Sequence, residues 1–439
     1  MDDTICAIAT PPGAGGVGVV RVSGDTVPDI TLRLLGRLPA ARVATLVTVK
    51  HPDGHLIDQG LALYFPRPAS YTGEHILELH LHGNPVVLDE TLRLLASLGA
   101  RLARPGEFTE RAFLNGKMDL VQAEAVADLI GSSTAHAARA AAQAMAGAFS
   151  AAVADLGARL IHVRVQIEAG LDFPDEDISP MADGRLRAEL HALAAFLADT
   201  EARAREGRLL RDGATVVLVG KPNAGKSTLF NALCGNALAI VSPLAGTTRD
   251  LLREVIDVDG IPVTLIDTAG LRDAPTDSVE FEGVRRARTA AAEAQLCLLL
   301  VDDTERDSIP IAPAGREGDS LVVYTKIDAS GRPPGLADGA VAVSALSGAG
   351  LDALRAALAL SLRGAPPGEG GFTARRRHIE ALHQVGRHLA AAIARHEEGA
   401  HDLAAEDLRR AHKALGTITG EFTTDELLGE IFSSFCIGK

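Results

Sequence analysis

The sequence predicts a multidomain α/β-plus-α protein: a small N-terminal α+β domain, an α-helical domain in two pieces, and a doubly wound α/β domain inserted between those pieces. Three changes of texture along the 439 residues predict it. Residues 1–116 mix short β-like runs with Gly/Pro turns. Residues 117–211 and 366–439 are helical in pattern and rich in Ala. Residues 212–365 carry short, nearly continuous apolar runs separated by helical stretches, the pattern of a mostly parallel sheet covered on both faces.

In the first region the strand signals are residues 17–22, 61–65 and 76–80, with a helix carrying Leu88, Leu92 and Leu95 on one face. In the second, Leu186, Leu190, Leu193 and Leu197 alternate steps of four and three, an amphipathic helical stripe. The acidic, proline-bounded stretch 172–180 breaks the helices there. The α/β region contributes runs at 215–219, 253–258, 263–266, 296–301, 321–324 and 340–343, and the Gly/Pro stretch 364–371 closes it. Ile379, Leu382, Val385 and Leu389 then resume the helical stripe.

Composition bounds the function classes. Aromatic residues are 3% with no Trp, so the cores must be Ala, Leu and Val packing. No run of about 18 uncharged apolar residues exists, so no membrane span is expected. The acidic start Met1-Asp2-Asp3 lacks the basic region of a secretion signal, and a cytoplasmic location is expected. Cys6, Cys234, Cys297 and Cys436 show no zinc-ligand spacing and no disulfide framework. A net charge of −14 disfavours generic nucleic-acid binding, so an RNA partner would need a local basic patch. Arg203, Arg205, Arg208 and Arg211, or Arg375, Arg376, Arg377 and His378, are the candidates, although such clusters are more often solvated helix faces.

The chemistry is concentrated in the inserted domain. Gly220-Lys221-Pro222-Asn223-Ala224-Gly225-Lys226-Ser227 follows a strand and opens a helix, as a phosphate-binding loop must. Backbone N–H groups from Asn223 to Thr228 and the helix N-terminus then face the phosphates. Lys226 is expected on the outer phosphates and Ser227 on magnesium. Asp267-Thr268-Ala269-Gly270 follows the next strand, where Asp267 can hold magnesium through water and the Gly270 N–H can sense the terminal phosphate. Gly246-Thr247-Thr248 sits where a switch loop belongs, with Thr248 as the second protein ligand of magnesium. Thr325-Lys326-Ile327-Asp328 is the base-reading loop, because the Asp328 carboxylate matches the two donors of guanine and not adenine. Ser344-Ala345-Leu346 follows the last strand and is expected to meet guanine O6 through backbone N–H. The order of these motifs is that of a Ras-like GTPase, binding GTP and GDP. Thr325 stands where Asn is usual, and its smaller set of hydrogen-bonding groups weakens the expected hold on nucleotide. Leu271 occupies the place of the water-orienting Gln of Ras-like switches, leaving Glu280, Asp273 and Asp277 as nearby acids. No arginine finger is assignable, and a cation could supply the same charge.

Beyond that domain the chain resembles the MnmE (TrmE) family of tRNA uridine-modification GTPases. The resemblance is carried by Asp3-Thr4-Ile5, Ala9-Thr10-Pro11-Pro12-Gly13, Ser70-Tyr71-Thr72-Gly73-Glu74, Pro105-Gly106-Glu107-Phe108-Thr109, the run from Phe113 through Leu120, and the ending Phe435-Cys436-Ile437-Gly438-Lys439. It implies an N-terminal domain that binds 5-formyl- or methylene-tetrahydrofolate through Arg21, Glu78, Lys117 and Lys439 and drives homodimerisation. It implies potassium beside the phosphates, held by Asn223 and the segment Ser242-Pro243-Leu244-Ala245-Gly246-Thr247, with side-chain or carbonyl ligands from Ser242, Leu244 and Thr247. It selects Glu280 as the residue that orients water. It implies modification of wobble uridine in certain tRNAs with the FAD-containing partner MnmG, in a heterotetramer or larger complex. Cys436 is either a nucleophile or base, its thiolate favoured by Lys439 or a helix N-terminus, or an incidental thiol. The competing readings are a ribosome-assembly GTPase and a structural GTPase acting only by nucleotide-driven dimerisation.

Base choice can be tested directly. Asp328→Asn turns one acceptor into a donor against the donor edge of guanine, costing about 1–3 kcal/mol. GTP should bind more weakly and xanthosine triphosphate more tightly in a competition assay; unchanged GTP affinity would exclude this loop as the base reader.

Overall fold

The computed structural model describes residues 3–172, 184–235, 253–267, 294–305, 319–363, 371–421, 424–433 and 435–438. By contacts it divides into two units, residues 1–127 with 145–186 and 391–439, and residues 128–144 with 187–390.

Alternating apolar residues build the sheet of the first unit. β1 (Ile5–Ile8), β2 (Gly15–Ser23), β3 (Thr45–Lys50), β4 (Leu56–Phe65), β5 (Ile76–Gly83) and β6 (Arg101–Leu102) lie in the order β3-β4-β5-β2-β1-β6. All pairings are antiparallel except β1 with β6. Val20, Val22, Leu77, Leu79 and Leu81 turn one face into a core shared with Ile30 of α1 (Val27–Leu35) and Leu88 and Leu95 of α2 (Pro85–Ser97). The α2 stripe is therefore the one read from sequence, with Leu92 at its partly buried margin.

A buried ionic cluster pins this sheet to α3 (Glu107–Leu114). Arg111 is 1% exposed. It donates to the Asp3 carbonyl at 2.8 Å, to Glu74 at 3.1 and 3.2 Å, and to Glu107 at 3.2 Å. Glu107, wholly buried, also accepts from Arg101 and from the Arg104 amide. Burial pushes the Glu107 carboxyl up, but Arg101, the Arg104 amide and Arg111 outweigh it and hold it below the usual carboxylate range. The sequence motifs around Glu74 and Glu107 are thus joined through Arg111, one helical turn after Glu107.

The same unit holds α4 (Leu120–Gly131) up to residue 127, α6 (Ala148–Asp172), α12 (His401–Thr419) and α13 (Asp425–Ser433). Gly106, at φ 68°, precedes α3, and a Cβ there would lie 2.6 Å from the Phe432 carbonyl oxygen. Only glycine lets the C-terminal helix come this close. The chain then runs on through Phe435 to Gly438, whose own Cβ would lie 2.3 Å from the Ile8 carbonyl.

The second unit contains a seven-stranded sheet. β7 (Ala214–Gly220), β8 (Arg253–Val258), β9 (Ile261–Asp267), β10 (Leu296–Asp302), β11 (Asp319–Thr325), β12 (Gly335–Ala337) and β13 (Ala340–Ala342) lie in the order β12-β13-β11-β10-β7-β9-β8. The five inner strands are parallel, and the edge strands β8 and β12 are antiparallel to their neighbours. Every residue of β10 is buried, as a strand covered on both faces requires. α8 (Lys226–Gly235) and α10 (Leu351–Arg363) pack their Leu faces into this core, with the one-turn helix α9 (Ile327–Ser330) between β11 and β12.

The compact units depart from the domain boundaries read from texture. α5 (Ala135–Met145), most of α7 (Arg185–Asp212) and the first part of α11 (Arg376–Glu397) group with the sheet of residues 212–365, not with the other helices. The reason is packing that composition cannot show. Ala140 of α5 belongs to the α/β core, and the Thr134 hydroxyl donates to the Gly260 carbonyl at 2.8 Å. Among the described residues no single helix is long and apolar enough to cross a membrane.

Removing the buried guanidinium leaves buried carboxylates without compensation, a loss of about 3–5 kcal/mol. Arg111→Ala should therefore raise the hydrogen-exchange rate of α3 and β5 amides by orders of magnitude at neutral pH. Because the folded-state Glu107 pKa is depressed, its pairing stabilises above the unfolded value and is lost as pH falls through the folded one, below about pH 4. The wild-type and variant exchange rates should converge there; wild-type-like protection of Arg111→Ala at pH 7 would deny the cluster its role.

Candidate functional site

The phosphate-loop sequence lies at the carboxyl end of the sheet, between β7 and α8. Asn223 (φ 65°) and Gly225 (φ 82°) take the left-handed backbone that lets the loop wrap inward. A Cβ on Gly220 would come within 2.9 Å of the Leu300 carbonyl, so strand β10 approaches here only because the residue is glycine. Lys226 folds back on the loop, its Nζ donating to the carbonyls of Gly220 at 2.8 Å and Lys221 at 2.9 Å. Burial pulls its ammonium below the usual value, and the Asp267 charge restores only part of this. The ammonium thus stands on the loop that would hold phosphate. The Ser227 hydroxyl donates to Asp267 Oδ2 at 2.8 Å, so the two oxygen donors expected around magnesium are adjacent. Ala224 is buried, while Asn223, Ser227 and Thr228 are exposed.

The loop expected to read the base, Thr325 to Asp328, is tied to the phosphate-loop sequence through the Thr325 side chain. Thr325, 2% exposed, places its hydroxyl 2.9 Å from the Ala224 carbonyl and 3.2 Å from that of Val301. It has a single proton to share between them. Lys326 adopts φ 59° and caps α9, and its Nζ meets Asp302 at 2.5 Å. Burial pushes the Asp302 carboxyl up, but bonds from Lys326 and Thr304 outweigh it and leave it low. Ile327 is buried and Asp328 exposed, so the carboxylate faces solvent beside an anchored turn. Arg332 lies 4.0 Å from the Tyr324 ring centroid and donates to Asp303 at 2.8 Å, bracing that turn. Ser344 is buried and its amide donates to the Ala349 carbonyl at 2.8 Å. That corrects the expectation for Ser344, whose N–H is already used, and shifts it to the amides of Ala345 and Leu346. Leu346 is 81% exposed.

Several expected residues lie outside the described residues: Ser242, Pro243, Leu244, Ala245, Gly246, Thr247, Thr248, Thr268, Ala269, Gly270, Leu271, Asp273, Asp277, Glu280 and Lys439.

In the first unit Arg21 and Glu78 face each other across β2 and β5 and pair at 2.8 Å. The Arg21 guanidinium also stands 5.6 Å from the Tyr71 ring and 5.7 Å from Phe108, and reaches the Gly438 carbonyl at 3.4 Å. His80 approaches the second Glu78 oxygen at 3.4 Å. Lys117 instead donates to the Pro68 carbonyl at 3.1 Å. The register thus joins two of the expected residues, and the chain end reaches them. Tyr71, Phe108 and His80 were not singled out from sequence; Tyr71 and Phe108 sit inside the family-like motifs, which was the available signal. Cys436 is exposed, with its carbonyl accepting from Gly106 at 3.4 Å. Cys6 and Cys297 are buried, and burial pushes the Cys6 thiol up to about 11.

Arginines of both basic clusters have acidic partners. Arg205 pairs with Glu201, Arg208 with Asp212, Arg376 with Glu380, and both Arg211 and Arg375 converge on Asp128. Arg205, Arg208 and Arg376 pair along the chain four residues away, as on a solvated helix face, whereas Arg211 and Arg375 are held by an acid of another segment.

A family model described as MnmE helical domain matches residues 120–436, and one described as GTP-binding protein TrmE N-terminus matches residues 4–117. A tRNA modification GTPase MnmE from Alkalilimnicola ehrlichii is 53% identical over 445 residues, spanning 99% of this chain and 99% of its own. One from Yersinia pestis is 49% identical over 454 residues, spanning 100% and 99%. Among solved structures, Aquifex aeolicus Era bound to GDP and AlF4⁻ is 28% identical over 41% of this chain and 67% of its own, with a TM-score of 0.28.

The Thr325 geometry makes a quantitative expectation. Thr325→Val keeps the shape and removes the hydroxyl, stripping a donor from two buried carbonyls at about 1–2 kcal/mol. GDP affinity, read by titration with a fluorescent analogue, should fall roughly tenfold. An unaltered affinity would show that the phosphate loop is set without this bond.

Proposed function

The chain belongs to the MnmE family of tRNA modification GTPases, and on that premise we propose that it couples GTP hydrolysis to modification of wobble uridine. It acts with an FAD- and NADH-using partner of the MnmG kind, in a heterotetramer or larger complex, on certain tRNAs. The product is the 5-carboxymethylaminomethyl or aminomethyl group. The observation that carries this reading is likeness over essentially the whole length, N-terminal unit included, together with a strand–loop–helix phosphate site.

Each residue has a role in this reading. The amides from Asn223 to Thr228 bind the phosphates, and Lys226 leaves the Gly220 and Lys221 carbonyls to meet the outer ones. Ser227 and Thr248 hold magnesium, with Asp267 behind Ser227; hard oxygen donors of this kind suit that ion. Bound magnesium supplies charge neutralisation on the phosphates. Asp328 selects guanine, while Ala345 and Leu346 offer amides to its O6. Asn223, Ser242, Leu244 and Thr247 hold potassium, and Glu280 orients the attacking water once two GTPase domains meet.

The N-terminal unit binds the tetrahydrofolate derivative and forms a constitutive homodimer. Glu78 accepts from the pterin N–H groups, and Arg21, Lys117 and Lys439 meet its carbonyl or glutamate carboxylates. The Arg21–Glu78 pair fits that task, since an acceptor and a fork of donors stand side by side and are only partly exposed. The aromatic rings beside Arg21 offer apolar surface to a flat heterocycle. Bound folate supplies the one-carbon unit, and ammonium or glycine supplies the amine. Cys436 lies along the chain end that reaches this pair.

Deleting the gene and measuring wobble uridines by mass spectrometry tests the reading. The modified nucleoside should vanish, return with the wild-type gene, and fail to return with Glu280→Ala. The purified Glu280→Ala protein should bind GTP normally but turn it over roughly 10²–10⁴-fold more slowly. Wild-type turnover should be much faster in potassium chloride than in sodium chloride at equal ionic strength. Unchanged uridines after deletion would defeat the assignment, and equal rates in the two salts would defeat the potassium site.

A further inference from the structure

The turn joining β3 to β4 carries His51, Asp53 and His55, alternating over five residues. The turn is tight: the His51 amide donates to the His55 carbonyl at 3.0 Å, and the Gly54 amide donates to that of His51 at 2.9 Å. Gly54 supplies the φ of 98° that closes it. Two imidazoles are thereby forced onto one side, their rings stacked at 4.7 Å between centroids.

Their donor atoms converge. Asp53 Oδ1 lies 3.1 Å from His51 Nδ1 and 2.7 Å from His55 Nδ1, and the three ligand atoms all fall within 4.8 Å of one another. The His51 Nδ1 atom is shielded from solvent and makes no hydrogen bond among the described residues, despite its closeness to Asp53. The other nitrogen of His55, Nε2, stands 2.7 Å from Glu90 Oε1 on α2. That carboxylate fixes the ring from behind, as a carboxylate commonly does for a metal-bound imidazole.

We propose that His51, Asp53 and His55 form a binding site for a divalent transition ion of the zinc class, with Glu90 orienting His55. Two imidazoles and one carboxylate suit zinc better than magnesium or calcium, which prefer oxygen alone. Bonds of about 2.0–2.2 Å to three donors leave the fourth tetrahedral position to water. The ion would replace the proton that otherwise bridges His55 and Asp53, and would tie the β3–β4 turn to α2 through Glu90. It shares no residue with the phosphate loop or the Arg21–Glu78 pair, and it does not depend on the function proposed above.

The test uses the full chain, stripped with chelator and titrated with zinc chloride by calorimetry at pH 7.5. Wild type should take up one more equivalent than the His51→Ala/His55→Ala double variant. Other zinc-binding groups, such as the Cys436 thiol, are common to both proteins and cancel. Glu90→Gln should keep the equivalent but bind it 10–100-fold more weakly. Cobalt added in place of zinc should give visible absorption in the wild type that the double variant lacks. GTP turnover of the variants, unchanged from wild type, verifies that they fold. Equal zinc uptake by wild type and double variant overturns the proposal and makes the cluster a hydrogen-bonded turn; undiminished affinity in Glu90→Gln overturns the part assigned to Glu90.

Discussion

The hydroxyl of Thr325 is the point on which the nucleotide site turns. It reaches the Ala224 carbonyl of the phosphate loop and the Val301 carbonyl of the central strand from the end of β11. Three separate stretches of chain must keep their spacing for one buried proton to serve both acceptors. Gly225 contributes through its backbone, whose φ of 82° lets the phosphate loop turn beside the Thr325 side chain. The bond from Lys326 to Asp302 anchors Lys326, the left-handed residue that opens α9, and Asp328 follows it exposed to solvent. A residue that looks like a weakened version of the usual Asn is therefore a working brace. Its single proton is also why it is a thinner one.

A comparable constraint operates in the first unit, where the anchor is charge. Arg111 is surrounded by Asp3, Glu74 and Glu107, drawn from the chain start, the turn before β5 and α3. A charge buried this deeply is tolerated only when nearly every donor is used. Holding α3 against β1 in turn fixes Gly106, and Gly106 admits the C-terminal helix and the segment leading to Gly438. The last described residues thereby reach Arg21. Ionic packing in the interior and the surroundings of the Arg21–Glu78 pair are links of one chain of contacts.

Much of the α/β unit was legible in the sequence because its signals are local. A phosphate loop needs glycines at fixed spacing between a strand and a helix, and each apolar run of a parallel sheet is nearly continuous. The strands of the first region were legible through alternation, and α2 through its Leu stripe. The expected roles of Asp267 and Ser227 depend on adjacency across the sheet, yet motif order was enough to name both residues, and their hydroxyl–carboxylate bond is a consequence of β9 lying beside β7.

What the sequence could not determine is whatever depends on which surfaces meet. The Ala-rich helices look alike in composition, and only packing assigns α5 to the α/β core through Ala140 and Thr134. The amide of Ser344 is indistinguishable from its neighbours until the loop closes and commits it to Ala349. Arg211 and Arg375, one from each candidate basic patch, meet at Asp128, an acid far from both in the chain. Sequence by itself determined the chemistry of the nucleotide motifs and the periodicity of the elements, because both rest on residue type at short spacing. Tertiary structure decided partner choice, burial and the convergence of His51, Asp53, His55 and Glu90, because hydrogen bonds and ion pairs act over a few ångströms in space and take no account of distance along the chain.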